Sequence, residues 1–227
     1  MKVLGCITVF NQRDIQNLIT LQQLAGKDVD LGVDLWEDLL RQAEYKKARK
    51  NEYLQKEGSP VNYMFFVVSG IAREHLVFVD GRDVNATFHE GPALVGNAFS
   101  YRAELDASYS ISMVTPGFYY RIESNIIIEK ITQHPQGERW LNAMLARSYT
   151  KLQRRMLLLL HKNAEERLLE FAEAHPNLIK QVPDYHIATY LSITPVTMHR
   201  AKRKLRARRE REQLTEIEES DMRCVAV

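Results

Sequence analysis

Cysteine is nearly absent: Cys6 and Cys224 are the only two among 227 residues and stand near opposite ends. Neither a disulfide framework nor a four-thiolate iron–sulfur site can be assembled within one chain from that supply. Long apolar runs are missing too, since no stretch approaches the roughly 18 unbroken apolar residues of a spanning helix. The opening MKVLGCITVF is apolar but is interrupted at once by Asn11, Gln12, Arg13 and Asp14. A secretion signal calls for a basic start, a longer apolar stretch and a small-residue cleavage site, so a cytoplasmic protein is expected. There is no Gly-rich phosphate loop and no Gly-x-Ser-x-Gly. Nothing points to an enzyme.

Net charge is small, at +2, but it is not evenly spread. From Pro195 to Arg211 eight Lys or Arg stand against one Glu; that tract carries +7 and the other 210 residues sum to −5. Positive charge collected at one end is the electrostatic footprint of a polyanion partner.

The tract grows out of PDYHIATYLSITPVTMHRAKRKL, Pro183 to Leu205, which reads as two short helices joined by a Ser-Ile-Thr-Pro turn. Ile187, Ala188 and Leu191 give the first helix one apolar face. Thr194 is a good N-cap, and Pro195 stands where a helix has no use for an N–H. Met198, Ala201 and Leu205 then repeat toward a core, leaving Val196, Thr197, His199, Arg200, Arg203 and Lys204 on the other face. A helix fits the major groove of double-stranded DNA, and its first turns carry the side chains that reach base edges. Arg200 is the candidate base reader, because a guanidinium can donate two hydrogen bonds to guanine. Thr194 and Thr197 suit phosphate or a nearby base edge, while Lys202, Arg203, Lys204 and Arg206 suit the phosphate backbone.

Upstream the pattern changes twice. Residues 1–30 read as a helical lead segment, with Ile15, Leu18, Ile19 and Leu21 to Leu24 on a partly apolar face, and a second helix is expected from about Val33 to Ala48. Glu52 to Glu123 is a series of short Val-, Phe-, Tyr- and Ile-rich runs broken by Gly, Pro and Asp, predicting six to eight strands of a sandwich or barrel. In HLVFVDGRDVNATF, Asp80-Gly81 predicts a tight hairpin turn. A long helix follows from about Gly137 to Lys162, in which Leu141, Leu145, Tyr149, Leu152, Met156 and Leu159 form an apolar seam. A homodimer accounts for that seam, as does burial of the helix within one chain. Dimers that read DNA bind paired, palindromic half-sites about one turn apart.

In this order, EGSPVNYMFFVVSGIAREHLVFVDG, a long helix, NAEERLLEFAEAHPNLIKQVP and HIATYLSITPVTMHRAKRKL resemble the Crp/Fnr family of bacterial transcription regulators over roughly residues 31–206. The most specific parts are Glu57-Gly58, Phe66-Val67-Val68-Ser69-Gly70, Ala164-Glu165-Glu166-Arg167 and Ile193-Thr194-Pro195. The Ile-Thr-Pro turn and the missing wing resemble the branch common in Bacteroidetes. The resemblance implies an α+β chain: a double-stranded β-helix (jelly-roll) effector-type domain at 31–135 and a dimerisation helix at 136–162. An all-α helix-turn-helix domain at 163–227 would follow, acting on promoters with RNA polymerase.

Two departures qualify it. Family members that bind cyclic AMP carry a Glu for the ribose hydroxyl and an Arg for the cyclic phosphate, a charge-assisted contact. The corresponding residues here are Gly96, Asn97 and Ala98, then Ala107 and Ser108, so the anion has no counter-charge. A different effector, or none, is expected, with Tyr109, Tyr119, Tyr120 and Phe99 as candidate lining and Tyr101-Arg102 as a nearby substitute. The second departure is RARREREQLTEIE, Arg206 to Glu218, which has helix formers and no turn signal where many members fold a β-hairpin wing. Of the seven histidines only His75 and His89 fall in the β region, without the His-x-His of a cupin-type metal site, and no metal or cofactor is expected. The rival reading is a small-molecule-binding or protein-interaction roll whose terminal helices serve assembly.

Overall fold

Aromatic and β-branched residues cluster between Glu44 and Glu123, and there the described residues form eight strands. They are β1 (Glu44–Ala48), β2 (Tyr53–Gln55), β3 (Tyr63–Ser69), β4 (Ile71–Val77), β5 (Asp83–Glu90), β6 (Ala93–Val95), β7 (Ser110–Met113) and β8 (Gly117–Glu123). The structure, a computed structural model, describes residues 12–25, 27, 29–96 and 105–205. Antiparallel pairing gives two four-stranded sheets, ordered β1-β8-β3-β6 and β2-β7-β4-β5. Their facing sides make one core: Ala48, Phe65, Val67, Val95 and Tyr119 from the first sheet pack with Ala72, Ile111 and Met113 from the second.

The other side of the first sheet is covered by helices α1 (Gln12–Ala25), α2 (Val33–Arg41), α3 (Ser124–Gln133) and the start of α4 (Gly137–His161). Phe66, Tyr120 and Ile122 bury against Leu21, Trp36, Leu39, Ile131 and Trp140. The Trp140 indole donates to the Ala25 carbonyl at 2.7 Å, which satisfies its buried N–H and ties α4 to the end of α1. None of the helices among the described residues is long and apolar enough to cross a membrane.

Several expectations are corrected here. The second helix stops at Arg41, and Glu44 to Ala48 is strand β1, in register with Arg121 to Gly117 of β8. Its Tyr45 stacks on Phe118 at 5.6 Å and tilts against Tyr120 at 4.7 Å, contacts that outweigh the helical preference of Glu44, Lys46, Lys47 and Ala48. The Asp80-Gly81 hairpin forms with a wider loop. Gly81 N–H donates to the Phe78 carbonyl at 2.8 Å and Phe78 N–H to the Arg82 carbonyl at 2.9 Å, enclosing Val79, Asp80 and Gly81. Gly81 sits at φ +82°, the left-handed residue that such a three-residue loop requires. Tyr119 and Tyr120 do not share a cavity, because neighbours on a strand face opposite sides: Tyr119 enters the inter-sheet core and Tyr120 the helical side. Phe99, Tyr101 and Arg102 lie outside the described residues.

The chain divides into two compact units between Lys151 and Leu152, within α4. The C-terminal unit adds α5 (Ala164–Ala174), α6 (Leu178–Gln181), α7 (Asp184–Tyr190) and α8 (195–205). Asn163 starts α5 with a capping box: its side chain accepts from Glu165 and Glu166 N–H, and the Glu166 carboxylate accepts from Asn163 N–H. Leu168, Phe171, Ala172, Leu178, Val182, Ile187, Ala188, Leu191, Met198 and Ala201 are its buried apolar residues among the described ones.

Candidate nucleic-acid interface

The turn that aims α8 is built from backbone rules. Ser192 N–H donates to the Thr189 carbonyl at 3.2 Å and Ile193 N–H to the Ala188 carbonyl at 3.0 Å, the paired bonds of a Schellman C-terminus. Ser192 supplies its left-handed residue at φ +54°. Thr194 then caps the next helix, its Oγ1 accepting from Thr197 N–H at 3.1 Å, with Pro195 first in the helix. Four residues, Leu191 to Thr194, therefore end one helix and begin the next.

This start fixes which faces of α8 are buried. Met198 and Ala201 are 1% and 3% exposed, whereas Val196 is 70% exposed and His199, Arg200, Arg203 and Lys204 also face solvent. The periodicity expectation for the solvent face holds for these five residues. Thr197 is half-buried, and its hydroxyl lies 2.9 Å from that of Thr194, so the two threonines first serve the cap. The cations divide into two kinds. Lys202 is half-buried and ion-paired with Asp184 at the start of α7, and Lys204 is ion-paired with Glu165 in the first turn of α5. Arg200 and Arg203 are exposed and make no ion pair with a described residue. Arg206 lies outside the described residues. Sequence reasoning grouped Lys202 and Lys204 with the others, because their partners stand 18 and 39 positions away in the chain.

On α4 the expected seam is split. Leu141 is 1% exposed and belongs to the core beneath the first sheet, next to Trp140, so it is not on a free stripe. Leu145, Tyr149, Leu152 and Met156 are 47–66% exposed at steps of four, three and four, which keeps them on one face. Leu159 is half-buried, and Leu160, 70% exposed, continues the stripe.

In the roll, the described part of the altered cassette carries no cationic side chain, and its one charged residue is the exposed Asp106. Gly96 has φ +133°, Ala107 is buried with its N–H and carbonyl bonded to Ser59 and Gly58, and Ser108 is exposed. Asn97 and Ala98 lie outside the described residues. The buried Arg73 cannot replace the missing cation on the inner side: it stands opposite Ser112 while its neighbour Ala72 stands opposite Met113 of the core. Arg73 instead binds both Asp83 oxygens, at 2.6 and 2.7 Å, on the outward side of the second sheet. On the inward register Glu74 bonds His89 at 2.9 Å and Arg121 Nη2 bonds Glu44 at 3.0 Å, while the buried Nε of Arg121 has no hydrogen-bond partner among the described residues. Among the described residues no three His, Cys, Asp or Glu side chains are grouped as metal ligands.

No family model matches the chain, and no curated protein matches it in sequence. Solved structures do. FixK2 from Bradyrhizobium japonicum is similar at a TM-score of 0.65 and 24% identity, over 73% of this chain and 85% of that one. The c-di-GMP responsive global regulator CLP from Xanthomonas campestris reaches 0.63 at 14% identity, over 78% and 92%. DNR from Pseudomonas aeruginosa reaches 0.52 at 19% identity, over 87% and 89%. What the chain has in common with them is the fold, an antiparallel roll flanked by helices and followed by a helical unit.

Proposed function

We propose that this chain is a cytoplasmic bacterial transcription regulator of the Crp/Fnr type, a homodimer that reads a palindromic promoter site in double-stranded DNA. The observation that carries the reading is the outward face of α8, where Arg200 and Arg203, without an ion pair to any described residue, stand beside Val196 and His199 on a helix whose first turn is fixed by the Thr194 cap. Arg200 reads a base, Arg203 and Arg206 hold phosphate, and Lys202 and Lys204 join them by exchanging a carboxylate for a phosphate. The exposed stripe from Leu145 to Leu160 on α4 pairs two copies, giving the two reading helices that a palindrome needs. Residues 31–135 serve as the effector-type domain, 136–162 as the pairing helix and 163–227 as the reader.

The fold shared with the global regulator CLP and with DNR supports this reading. An effector other than cyclic AMP, or none, follows from a cassette without a cation for the cyclic phosphate, and RNA polymerase is the partner that the family resemblance implies. Selection of bound DNA from a random pool, followed by gel shift at two salt concentrations, tests the proposal. A regulator enriches a two-fold symmetric sequence and loses affinity steeply with salt. An assembly module of the rival kind enriches nothing, and its DNA binding, if any, is indifferent to sequence.

A further inference from the structure

Two helix C-termini meet in the C-terminal unit, and each brings carbonyls without an intrahelical partner and a partial negative charge. Left alone they would repel. Two arginines lie between them. Arg167, on α5, donates from Nε to the Lys162 carbonyl at 2.8 Å and from Nη2 to the Leu159 carbonyl at 2.8 Å, both at the end of α4. Its Nη1 donates to the Leu191 carbonyl at 3.0 Å, which belongs to the C-cap of α7. Arg155, on α4, donates from Nη2 to the Tyr190 carbonyl at 2.9 Å, and its guanidinium carbon lies 4.1 Å from the centre of the Tyr190 ring.

The planar guanidinium holds its donors in fixed directions, so each arginine fixes an angle as well as a distance, which a point charge does not. The junction is short as well: only Lys162 and Asn163 separate α4 from α5, and Asn163 is held by its capping box. Leu191, which Arg167 grips, is three residues before Thr194, the cap of α8.

We infer that Arg155 and Arg167 are positioning residues that weld the last two turns of α4 to the turn that aims α8, so that any rotation of α4 is delivered to the reading helix without slack. The inference rests on the proposed DNA reading and adds how that reading would be regulated. A half-site spacing set by α4 requires this weld in each copy.

The test compares the full-length parent with Arg155→Met, which keeps the apolar stem, and Arg155→Lys, which keeps the charge and loses the fork. DNA selected from a random pool gives the spacing between half-sites; salt titration and amide hydrogen exchange are measured on the same proteins. The parent enriches its half-site at one spacing. Arg155→Met is expected to enrich the same half-site at several spacings with an unchanged salt slope. Exchange at Leu191 to Ile193 should be faster by about tenfold, the local protection lost with one charge-assisted bond. Arg155→Lys is expected to resemble it, and full rescue by lysine overturns the clamp. A single spacing retained by Arg155→Met overturns the inference, as does a shallower salt slope, which would make Arg155 a phosphate contact. If the parent itself enriches no paired site, the DNA reading fails separately; unchanged exchange at Leu191 to Ile193 then overturns the weld on its own, and accelerated exchange upholds it.

Discussion

The Ser112 hydroxyl lies 3.0 Å from Nε2 of His75, a residue with no exposed surface. The same hydroxyl accepts from Arg73 Nε at 3.2 Å, which leaves its own proton for the imidazole. His75 then carries its hydrogen on Nδ1, facing Asp83 Oδ1 at 3.5 Å, and Asp83 is gripped through both oxygens by Arg73. Asn85, also buried, accepts from Arg73 Nη1 at 2.9 Å. The ring of contacts stitches β4, β5 and β7 on the outward side of the second sheet.

Protonating His75 places a second cation next to Arg73 and a second donor where Ser112 already donates. Burial, and after it the charge of Arg73, hold its pKa below the ordinary 6.5, against an opposing pull from Asp83. Below pH 6.5 the unfolded chain therefore binds this proton more readily than the folded one, and stability falls as pH drops toward the folded value. The contribution is at most about 1.4 kcal/mol per pH unit and is flat above 6.5. Urea unfolding of the wild type and of His75→Gln over that range checks it. The variant should lose this share of the acid slope, and an acid limb of equal steepness in both would place the proton elsewhere.

Ser192 holds the left-handed position of the Schellman turn at φ +54°, where a Cβ is costly and glycine is not. Ser192→Gly should stabilise the C-terminal unit by about 0.5–1 kcal/mol, the relief of that strain less the added freedom of an unfolded glycine. Ser192→Val should destabilise it, since a β-branched residue tolerates this region least. Unfolding midpoints of the two variants should therefore move in opposite directions from the parent's.

The parts of this molecule that were legible in its sequence are those governed by neighbours along the chain. The Thr194-Pro195 helix start, the alternation that buries Met198 and Ala201, and the position of the β4–β5 hairpin all follow from residues within one or two turns of each other. Strand β1 has the local sequence of a helix, because Glu44, Lys46, Lys47 and Ala48 favour helix, while the pairing that decides the matter comes from Gly117 to Arg121. The same limit hid the partners of Lys202 and Lys204 and the carbonyls gripped by Arg155 and Arg167. Leu141 fell in the seam by spacing alone, and only the packing of α1 to α3 separates it from Leu145.

Arg200 and Lys204 should differ when DNA is bound. Arg200→Ala is expected to cost about 1–3 kcal/mol at one base position and to relax specificity there, leaving other positions unchanged. Lys204→Ala should weaken all sequences alike and flatten the salt dependence by about one phosphate's worth. Because Lys204 is paired with Glu165 before DNA arrives, Glu165→Gln should strengthen binding to every sequence by removing a carboxylate that competes with phosphate. A gel-shift series over several salt concentrations and two operators separates these outcomes; equal losses at all sequences for Arg200→Ala would remove it as the base reader.

The stripe on α4 makes a prediction with two opposing salt dependences. Tyr149 and Leu152 are 64% and 66% exposed, and with Leu145 and Met156 they form a contiguous apolar face, which water disfavours far more than scattered single residues. From Arg139 to His161 the helix has no Asp or Glu, while Arg147, Lys151, Arg154 and Arg155 are basic. Pairing two such helices gains apolar burial but brings like charges together, so added salt should tighten the dimer by screening, just as it loosens DNA. Leu152→Glu should yield monomers by sedimentation at micromolar concentration with little loss of folding stability, because the residue is exposed in the single chain. Leu141→Ala, buried beside Trp140, should do the reverse, costing about 2–5 kcal/mol of stability and leaving the assembly state unchanged. A dimer that persists in Leu152→Glu and weakens with salt would show that some other surface joins the chains.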